Sequence, residues 1–276
     1  MRSLHLWTRA IRLQHCIAAA LGTWVVALLS NGAQWVNAPK VAAPIAMAFC
    51  VAGASLYHYG AAREIYVRKS ERLWIEFQPR IVLLSAGLGS FGISLLITGL
   101  LLNPMCFGLV LFNVLAIILY ARRLDRHWIT KNTVITTVIA SPVLVGWFAG
   151  HRMNPMTPWL LGSIAAAYMA REIVKDVDDI LANQGRRVTL PMEVGTRGAM
   201  RIAGTCAGLS GLMLVPAARY LLGAIPTAIG FASMMLITGR ITVQLFQRDR
   251  PGDAKHWIFG SSLLLTLTMF FYRLTR

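Results

Sequence analysis

The charged stretch REIVKDVDDILANQGRRVTLP, residues 171–191, carries the residue types best suited to chemistry. On a helix, Asp176 and Asp179 share one face and Arg171 and Lys175 share another, because residues three or four apart are neighbours. Two carboxylates can bind Mg²⁺ and leave coordination positions for phosphate oxygens. Flanking cations can bind the same oxygens directly. The spacing indicates either a magnesium–phosphate site or a solvated loop whose charges set membrane topology.

The rest of the chain is apolar. Of its 276 residues, 56% are hydrophobic and 14% are charged, whereas soluble domains carry about 25% charged residues. Apolar runs of roughly 20 residues, the length that crosses a bilayer, recur along the chain. They predict one all-α integral membrane domain over residues 1–276, with nine transmembrane helices at about 14–30, 41–60, 81–101, 104–121, 132–150, 157–172, 199–217, 219–241 and 256–273.

The pattern of the apolar runs favours helices over barrel strands. The runs are continuous and lack the two-residue alternation of membrane strands. Glycines and other small residues, as in VLLSAGLGSFGISLL at 82–96, suit close packing of helices in lipid. The N-terminal residues 1–13 are expected to form an amphipathic helix that leads into the first span, rather than a signal peptide.

The distribution of basic residues predicts the orientation of the chain. If the chain crosses the membrane nine times, most of its 27 lysines and arginines lie on the same side of the membrane as the N-terminus. The positive-inside rule then places the N-terminus in the cytoplasm of a multi-pass protein of the cell's inner (cytoplasmic) membrane. The connections at 61–80, 121–131 and 172–198 lie on this side and are long and polar. We therefore expect a cavity, and the chemistry, at the cytoplasmic end.

Several other classes of function are excluded by missing patterns. The sequence has no P-loop, dinucleotide-binding glycine pattern, nucleophile elbow or zinc-ligand spacing. Its basic residues are spread over membrane loops, so no nucleic-acid partner is expected, and no pattern identifies a protein partner. The cysteines stand singly in or beside apolar runs, which predicts packing rather than a disulfide or metal site. They are Cys16, Cys50, Cys106 and Cys206.

The order of residues in the charged stretch resembles the second aspartate-rich motif of the UbiA superfamily of intramembrane prenyltransferases. That motif reads roughly R-E-I-x-K-D-x-x-D-x-x-G-D, followed by a glycine-rich turn and T-L-P, most clearly in the archaeal geranylgeranylglyceryl phosphate synthase branch. The matching residues are Arg171, Glu172, Ile173, Lys175, Asp176, Asp179, Thr189, Leu190 and Pro191.

Two further stretches resemble the same family in the right order. The first, 119–150, is similar to the family's Tyr…Leu-Lys-Arg…Asn loop and the helix after it. The second, 51–73, is similar to the family's first aspartate motif region. The residues at family positions are Tyr120, Leu124, Arg126, Asn132, Pro142 and Gly146 in one stretch, and Ala52, Gly53, Glu71 and Arg72 in the other.

The chain departs from the family pattern in the first motif. The family's Asn-Asp pair becomes Tyr57 and His58, and its next two aspartates become Ala61 and Ile65. In the middle loop, the family's lysine falls on Asp125. In the second motif, the last aspartate falls near Asn183.

Three interpretations of residues 57–65 remain open at this point. The basic loop with Arg63, Arg68, Lys69 and Arg72 could supply guanidinium and ammonium charge in place of metal charge. His58 with Glu64 could serve acid–base chemistry. Alternatively, the site has decayed and its side chains now only pack.

The resemblance implies a fold, an activity and a set of site residues. It implies a UbiA-like helical bundle with a cytoplasm-facing cavity, which transfers a prenyl (isoprenoid) group from a prenyl diphosphate to a membrane lipid or small-molecule acceptor. Asp176 and Asp179 would be catalytic by binding Mg²⁺, with Asn183 as a further ligand. The diphosphate would be bound by Arg72, Arg126, Arg171 and Lys175, and the cavity lined by Tyr120 and Asn132.

A second hypothesis belongs to another class. A non-catalytic UbiA-like protein would keep the cavity to bind an isoprenoid or quinone, or would act as a membrane assembly partner. A secondary transporter is less favoured, because inverted repeats and charges at mid-bilayer are not found in the sequence.

Overall fold

The structure is a computed structural model in which helices form all the regular secondary structure of the described residues. It describes residues 7–8, 10–30, 37–62, 79–150, 155–185, 187–221 and 225–247, with separate positions between 256 and 268. The helices are α1 (Leu13–Ser30), α2 (Ala38–Ala61), α3 (Arg80–Leu101), α4 (Pro104–Arg122), α5 (Trp128–Gly150), α6 (Thr157–Asp178), the short α7 (Ile180–Asn183), α8 (Leu190–Leu221) and α9 (Ile225–Gln247). A 3₁₀ turn, Leu124–Arg126, precedes α5.

Local sequence signals explain where several helices begin or bend. Asn37 and Asn103 cap α2 and α4, because their side-chain oxygens accept from backbone N–H groups three residues later, at 3.1 and 3.0 Å. A proline in the first turn follows each cap. In α8, Gly195 has φ 75° and ψ 161°, so the helix is interrupted there.

The described helices are those of a multi-pass membrane protein. Six of them are long and apolar enough to cross a bilayer, namely α1 to α5 and Leu190–Pro216 of α8. Large exposed side chains on these helices, such as Leu96, Leu100 and Leu212, suit contact with lipid. Helix α6 is less apolar because its last two turns carry Arg171, Glu172, Lys175 and Asp176.

The predicted count of nine spanning helices is not confirmed. The described residues contain eight helices of 18 residues or more, and six stretches among them are long and apolar enough to cross a bilayer. The predicted ninth span, at 256–273, falls mostly outside the described residues. The all-helical class is confirmed.

The chain divides into two compact units, the first formed by Met1–Arg123 and Ser141–Arg152. Helices α2 and α3 cross closely in this unit. A Cβ added to Gly87 would lie 2.7 Å from the backbone N of Tyr57, and one added to Gly53 would lie 2.7 Å from Phe91 Cδ1. Ser94 Oγ also donates to the Ala46 carbonyl, at 2.7 Å. The small residues predicted to permit close packing therefore do so here.

The second unit comprises Leu124–Ala140 and Met153–Arg276. Its core joins α6, α8 and α9, since Ile173, Val174 and Val177 pack with Met200 and Leu245. Helix α5 begins in this unit and ends in the first. The single domain over residues 1–276 stays a prediction.

Candidate functional site

The charged end of α6 lies partly inside the protein. Glu172 and Asp176 are four residues apart and therefore share one side of the helix. Glu172 is 2% exposed and Asp176 is 0% exposed. Two buried carboxylates need positive partners, because an ionised group loses its hydration when it leaves water.

Lys131, in the first turn of α5, is the main partner of these carboxylates. Its side chain is 1% exposed, and its ammonium donates to Asp176 Oδ1. The same Nζ lies 3.8 Å from Glu172 Oε2. A single buried ammonium therefore bridges both carboxylates of α6.

Two further cations surround Glu172. Arg171 Nη1 donates to Glu172 Oε1 at 3.0 Å, and the guanidinium lies 5.9 Å from the centre of the Tyr168 ring. Lys175 Nζ is 3.7 Å from Glu172 Oε2, and its side chain is more exposed, at 39%. The predicted diphosphate-binding residues Arg171 and Lys175 are thus brought together on this cluster.

Two of the predicted metal ligands, Asp179 and Asn183, follow the end of α6. Asp179 follows the last residue of α6, and its backbone N–H donates to the Lys175 carbonyl at 3.0 Å. Asn183 is 0% exposed, and its side-chain Oδ1 accepts from Arg187 Nε at 2.9 Å. Asp178 is exposed. The carboxamide oxygen of Asn183 is therefore already engaged by a guanidinium.

Hydrogen bonds connect the loop before α5 to the loop before α8. The Val188 N–H donates to the Arg126 carbonyl at 2.8 Å, and His127 and Val188 form an isolated parallel bridge. Trp128 Nε1 donates to Glu193 Oε2 at 2.6 Å. These contacts hold the start of α5, which carries Lys131, beside the second aspartate motif.

Several buried polar atoms around this cluster have no hydrogen-bond partner within the described part of the chain. They are both amide atoms of Asn132, Asp176 Oδ2, Asn183 Nδ2, Thr189 Oγ1 and Arg171 Nε. Buried polar groups are normally hydrogen-bonded. The concentration of available donors and acceptors on these helix ends and on the loop before α8 marks this region as the candidate ligand site.

The arrangement does not fit a Mg²⁺ ion on Asp176, Asp179 and Asn183. Lys131 already places a positive charge on Asp176, and Arg187 engages the Asn183 oxygen. Across the ranges that the structure describes, no three His, Cys, Asp or Glu side chains group as they would to hold a metal. The metal-binding and catalytic roles of these residues stay predictions.

The other predicted site residues lie in different surroundings. Arg126 is exposed, and its backbone rather than its guanidinium makes the contact described above. Tyr120, in the first unit, is buried with its ring 5.4 Å from that of His58. Tyr57 is 7% exposed and packs against Phe91 and the backbone of Gly87.

The remaining residues of the first motif region lie outside the described residues. They are Arg72, Arg63, Glu64, Ile65, Arg68 and Lys69.

Sequence reasoning missed Lys131 and gave Glu172 no role. As one of the 27 basic residues, Lys131 enters the sequence analysis only through its effect on membrane orientation. One signal was available, because the loop before α5 has Asp125 where the UbiA family has lysine, and a lysine follows six residues later at position 131.

The fold and the site define the class of helical membrane proteins, with a buried acidic–basic cluster where α6 ends and α5 begins. The profile of the UbiA prenyltransferase family matches residues 76–269. The chain therefore belongs to the UbiA prenyltransferase family, and the predicted superfamily and prenyltransferase class are confirmed.

Individual relatives agree with this assignment. The chain is 28% identical over 238 residues to a digeranylgeranylglyceryl phosphate synthase of Methanopyrus kandleri, covering 82% of this chain and 86% of that protein. A UbiA homologue from Aeropyrum pernix K1, solved in its apo form, has a TM-score of 0.78 at 14% identity, covering 94% of this chain and 98% of that one. A UbiA homologue from Archaeoglobus fulgidus, solved with DMAPP and Mg²⁺, has a TM-score of 0.72 at 13% identity, with coverage of 96% and 98%.

Proposed function

We propose that this UbiA-family prenyltransferase transfers a prenyl group from a prenyl diphosphate to a lipid acceptor at the cytoplasmic end of its helices. The observation that carries the proposal is the cluster of Lys131, Arg171 and Lys175 around the second aspartate motif, beside the buried amide of Asn132. Ammonium and guanidinium groups bind phosphate oxygens well. Solved relatives bound to DMAPP and to GPP, each with Mg²⁺, support a prenyl diphosphate as donor.

The proposed chemistry uses positive charge to stabilise a leaving group. The bond between the allylic carbon of the donor and its diphosphate oxygen breaks, the acceptor oxygen bonds to that carbon, and the acceptor releases a proton. The diphosphate leaves with about three negative charges, and preorganised cations stabilise such developing charge. Arg171 and Lys175 are proposed to bind it, together with Arg126 and Arg72. Tyr120 and Asn132 are proposed to line the cavity.

The acceptor is proposed to be a phosphate-bearing glyceryl lipid. Relatives named digeranylgeranylglyceryl phosphate synthases match this chain over most of its length. The proposed location is the inner (cytoplasmic) membrane with the N-terminus inside, supported by the basic residues concentrated in the predicted inner loops. A single transferase domain over residues 1–276 is proposed with it.

Mg²⁺ occurs in solved relatives of this chain, and it was predicted here on Asp176, Asp179 and Asn183. Because these residues do not form a magnesium site in the arrangement described above, no step of the proposed transfer is assigned to a metal.

A transfer assay tests the proposal. The purified protein in lipid nanodiscs receives radiolabelled geranylgeranyl diphosphate and geranylgeranylglyceryl phosphate, and both lipid product and released pyrophosphate are measured. We expect both to form in the wild type and to fall at least about a hundredfold in Asn132→Ala with Arg171→Gln, since several positioned groups are lost. The matched control is Arg122→Gln, an exposed cation outside the cluster.

One observation favours the rival function, a non-catalytic protein that binds an isoprenoid or quinone. Tyr57 replaces a polar residue of the first motif and packs at the crossing of α2 and α3. This rival predicts saturable binding of the prenyl chain with no release of pyrophosphate. Binding without turnover across the acceptors tested would favour it.

A further inference from the structure

Lys131 lies between the two buried carboxylates of α6, in contact with one of the predicted metal ligands, Asp176. Its ammonium contacts Asp176 Oδ1 and lies 3.8 Å from Glu172 Oε2, in surroundings that leave it 1% exposed. Two like charges repel strongly where little water screens them. A metal ion on the same pair of carboxylates would therefore have to displace Lys131.

The cluster also carries an excess of positive charge without a metal. Glu172 and Asp176 bring two negative charges, while Lys131, Arg171 and Lys175 bring three positive ones. A divalent cation added to this set would leave a large uncompensated positive charge, which is unfavourable in a buried site. A bound phosphate group, in contrast, would bring the negative charge that the cluster lacks.

The position of Lys131 is fixed by its helix. Helix α5 begins at Trp128, and the Lys131 N–H donates to the His127 carbonyl at 3.0 Å, which closes the first helical turn. The side chain consequently reaches the carboxylates of α6 from a fixed backbone. A tethered cation of this kind is preorganised and, unlike a free ion, cannot be lost by dilution or chelation.

We infer that Lys131 is a built-in cation that takes the place of a divalent metal at the Glu172–Asp176 pair. A phosphate group at this site meets fixed ammonium and guanidinium charges instead of a metal ion. The cation that occupies these carboxylates can be identified without catalytic turnover.

Manganese binding tests the inference directly, because Mn²⁺ prefers the same oxygen ligands as Mg²⁺ and its free form gives a strong EPR signal. Purified wild-type protein, in detergent, is titrated with Mn²⁺ beside Lys131→Met, Lys131→Arg and the double variant Lys131→Met with Asp176→Asn. We expect Lys131→Met, which keeps most of the unbranched side chain but not its charge, to gain one Mn²⁺ site. The wild type, Lys131→Arg and the double variant should show no site at this pair.

Two results would overturn the inference. One is a saturable Mn²⁺ site in the wild type that Asp176→Asn removes, since the pair would then hold a metal despite Lys131. The other is a folded Lys131→Met protein that gains no site, since Lys131 would then not be what excludes the metal. Size-exclusion profiles and thermal unfolding establish whether each variant is folded. If Lys131→Met does not fold, comparing the wild type with Asp176→Asn still shows whether the wild-type pair binds Mn²⁺.

A second measurement uses the donor itself and rests on the proposed function. Binding of radiolabelled geranylgeranyl diphosphate is measured with excess Mg²⁺ and with EDTA. The wild-type affinity should change less than about twofold, whereas Lys131→Met should bind about tenfold more tightly with Mg²⁺ than with EDTA, a change of 1.4 kcal/mol. A wild-type affinity that collapses in EDTA contradicts the inference. No donor binding in either buffer contradicts the proposed function instead, and the manganese titration still decides the inference.

Discussion

Asp176 is completely buried, and a carboxylate taken out of water needs a cation or hydrogen-bond donors to remain ionised. Lys131 supplies that cation, and Arg171 and Lys175 compensate the neighbouring Glu172. At the scale of single residues, the second aspartate motif is thus an ion-paired network rather than a pair of open carboxylates. Its free hydrogen-bonding capacity within the described residues includes Asp176 Oδ2 and the amide of Asn132.

Removing Lys131 should destabilise the protein. Lys131→Met leaves two carboxylates buried without their shared ammonium, and breaking a buried pair in this way costs about 3–5 kcal/mol. Thermal unfolding in detergent measures the loss. Lys175→Met is the matched control, and because that side chain is 39% exposed its loss should be about 1 kcal/mol or less. Equal effects of the two substitutions would contradict the central position of Lys131.

The guanidinium of Arg171 should matter for donor binding beyond its charge. Arg171→Lys keeps the positive charge but not the planar set of donors that can bind two phosphate oxygens at once. We expect Arg171→Gln to weaken geranylgeranyl diphosphate binding by about tenfold or more, and Arg171→Lys to recover only part of it. Equilibrium binding in detergent is the measurement, and full recovery by lysine would reduce the role of Arg171 to charge alone.

At the scale of helices, small residues determine how closely α2 and α3 approach. Gly53 and Gly87 lie at the contact of the two helices, while a Cβ on Gly89 or Gly92 would meet nothing within 4 Å. The apolar run 82–96 therefore contains glycines of two kinds. Only the positions that face the neighbouring helix require the absence of a side chain.

Substitution by alanine, which adds one methyl group, should affect the stability of the protein differently at these two kinds of glycine. Gly87→Ala places a Cβ 2.7 Å from the Tyr57 backbone N, so the helices must move apart, at a cost of about 1–3 kcal/mol. Gly89→Ala faces open space and should be neutral or slightly stabilising, since alanine favours the helix. Thermal unfolding compares the two variants in the same detergent. A Gly87→Ala protein as stable as Gly89→Ala would show that α2 and α3 are not tightly packed.

At the scale of the whole molecule, composition and charge indicate how the chain lies in the membrane. Six described helices are apolar and long enough to span it. The basic residues concentrate in alternate loops, as the positive-inside rule requires. The orientation predicted from them places residues 172–198 inside and the connection at 151–156 outside.

Single cysteines test that orientation. Gln184 and Pro155 are both exposed and lie in loops predicted to be on opposite sides. An impermeant maleimide should label Pro155→Cys in intact spheroplasts and label Gln184→Cys only after permeabilisation. The native cysteines give little background, because Cys16, Cys50 and Cys106 are buried and Cys206 is partly buried. Labelling in the reverse order would invert the topology.

The helical class, the membrane location and the family could be predicted from the sequence alone. Hydropathy, cap residues and the motif at 171–191 are local features, readable within a window of about 20 residues. The helix count was less secure, because α6 ends in charged residues that lower its hydropathy. The role of Asp176 and Asp179 as neighbouring metal ligands stays a prediction.

Only the tertiary structure decided which cation meets Asp176. Lys131 is 45 residues away in the chain, so no local pattern could join the two. Their contact depends on α5 beginning at Trp128 and on the hydrogen bonds that hold that start beside the second motif. A sequence specifies which charges are present, but burial and neighbouring helices determine which of them are paired, because these are properties of the packed chain.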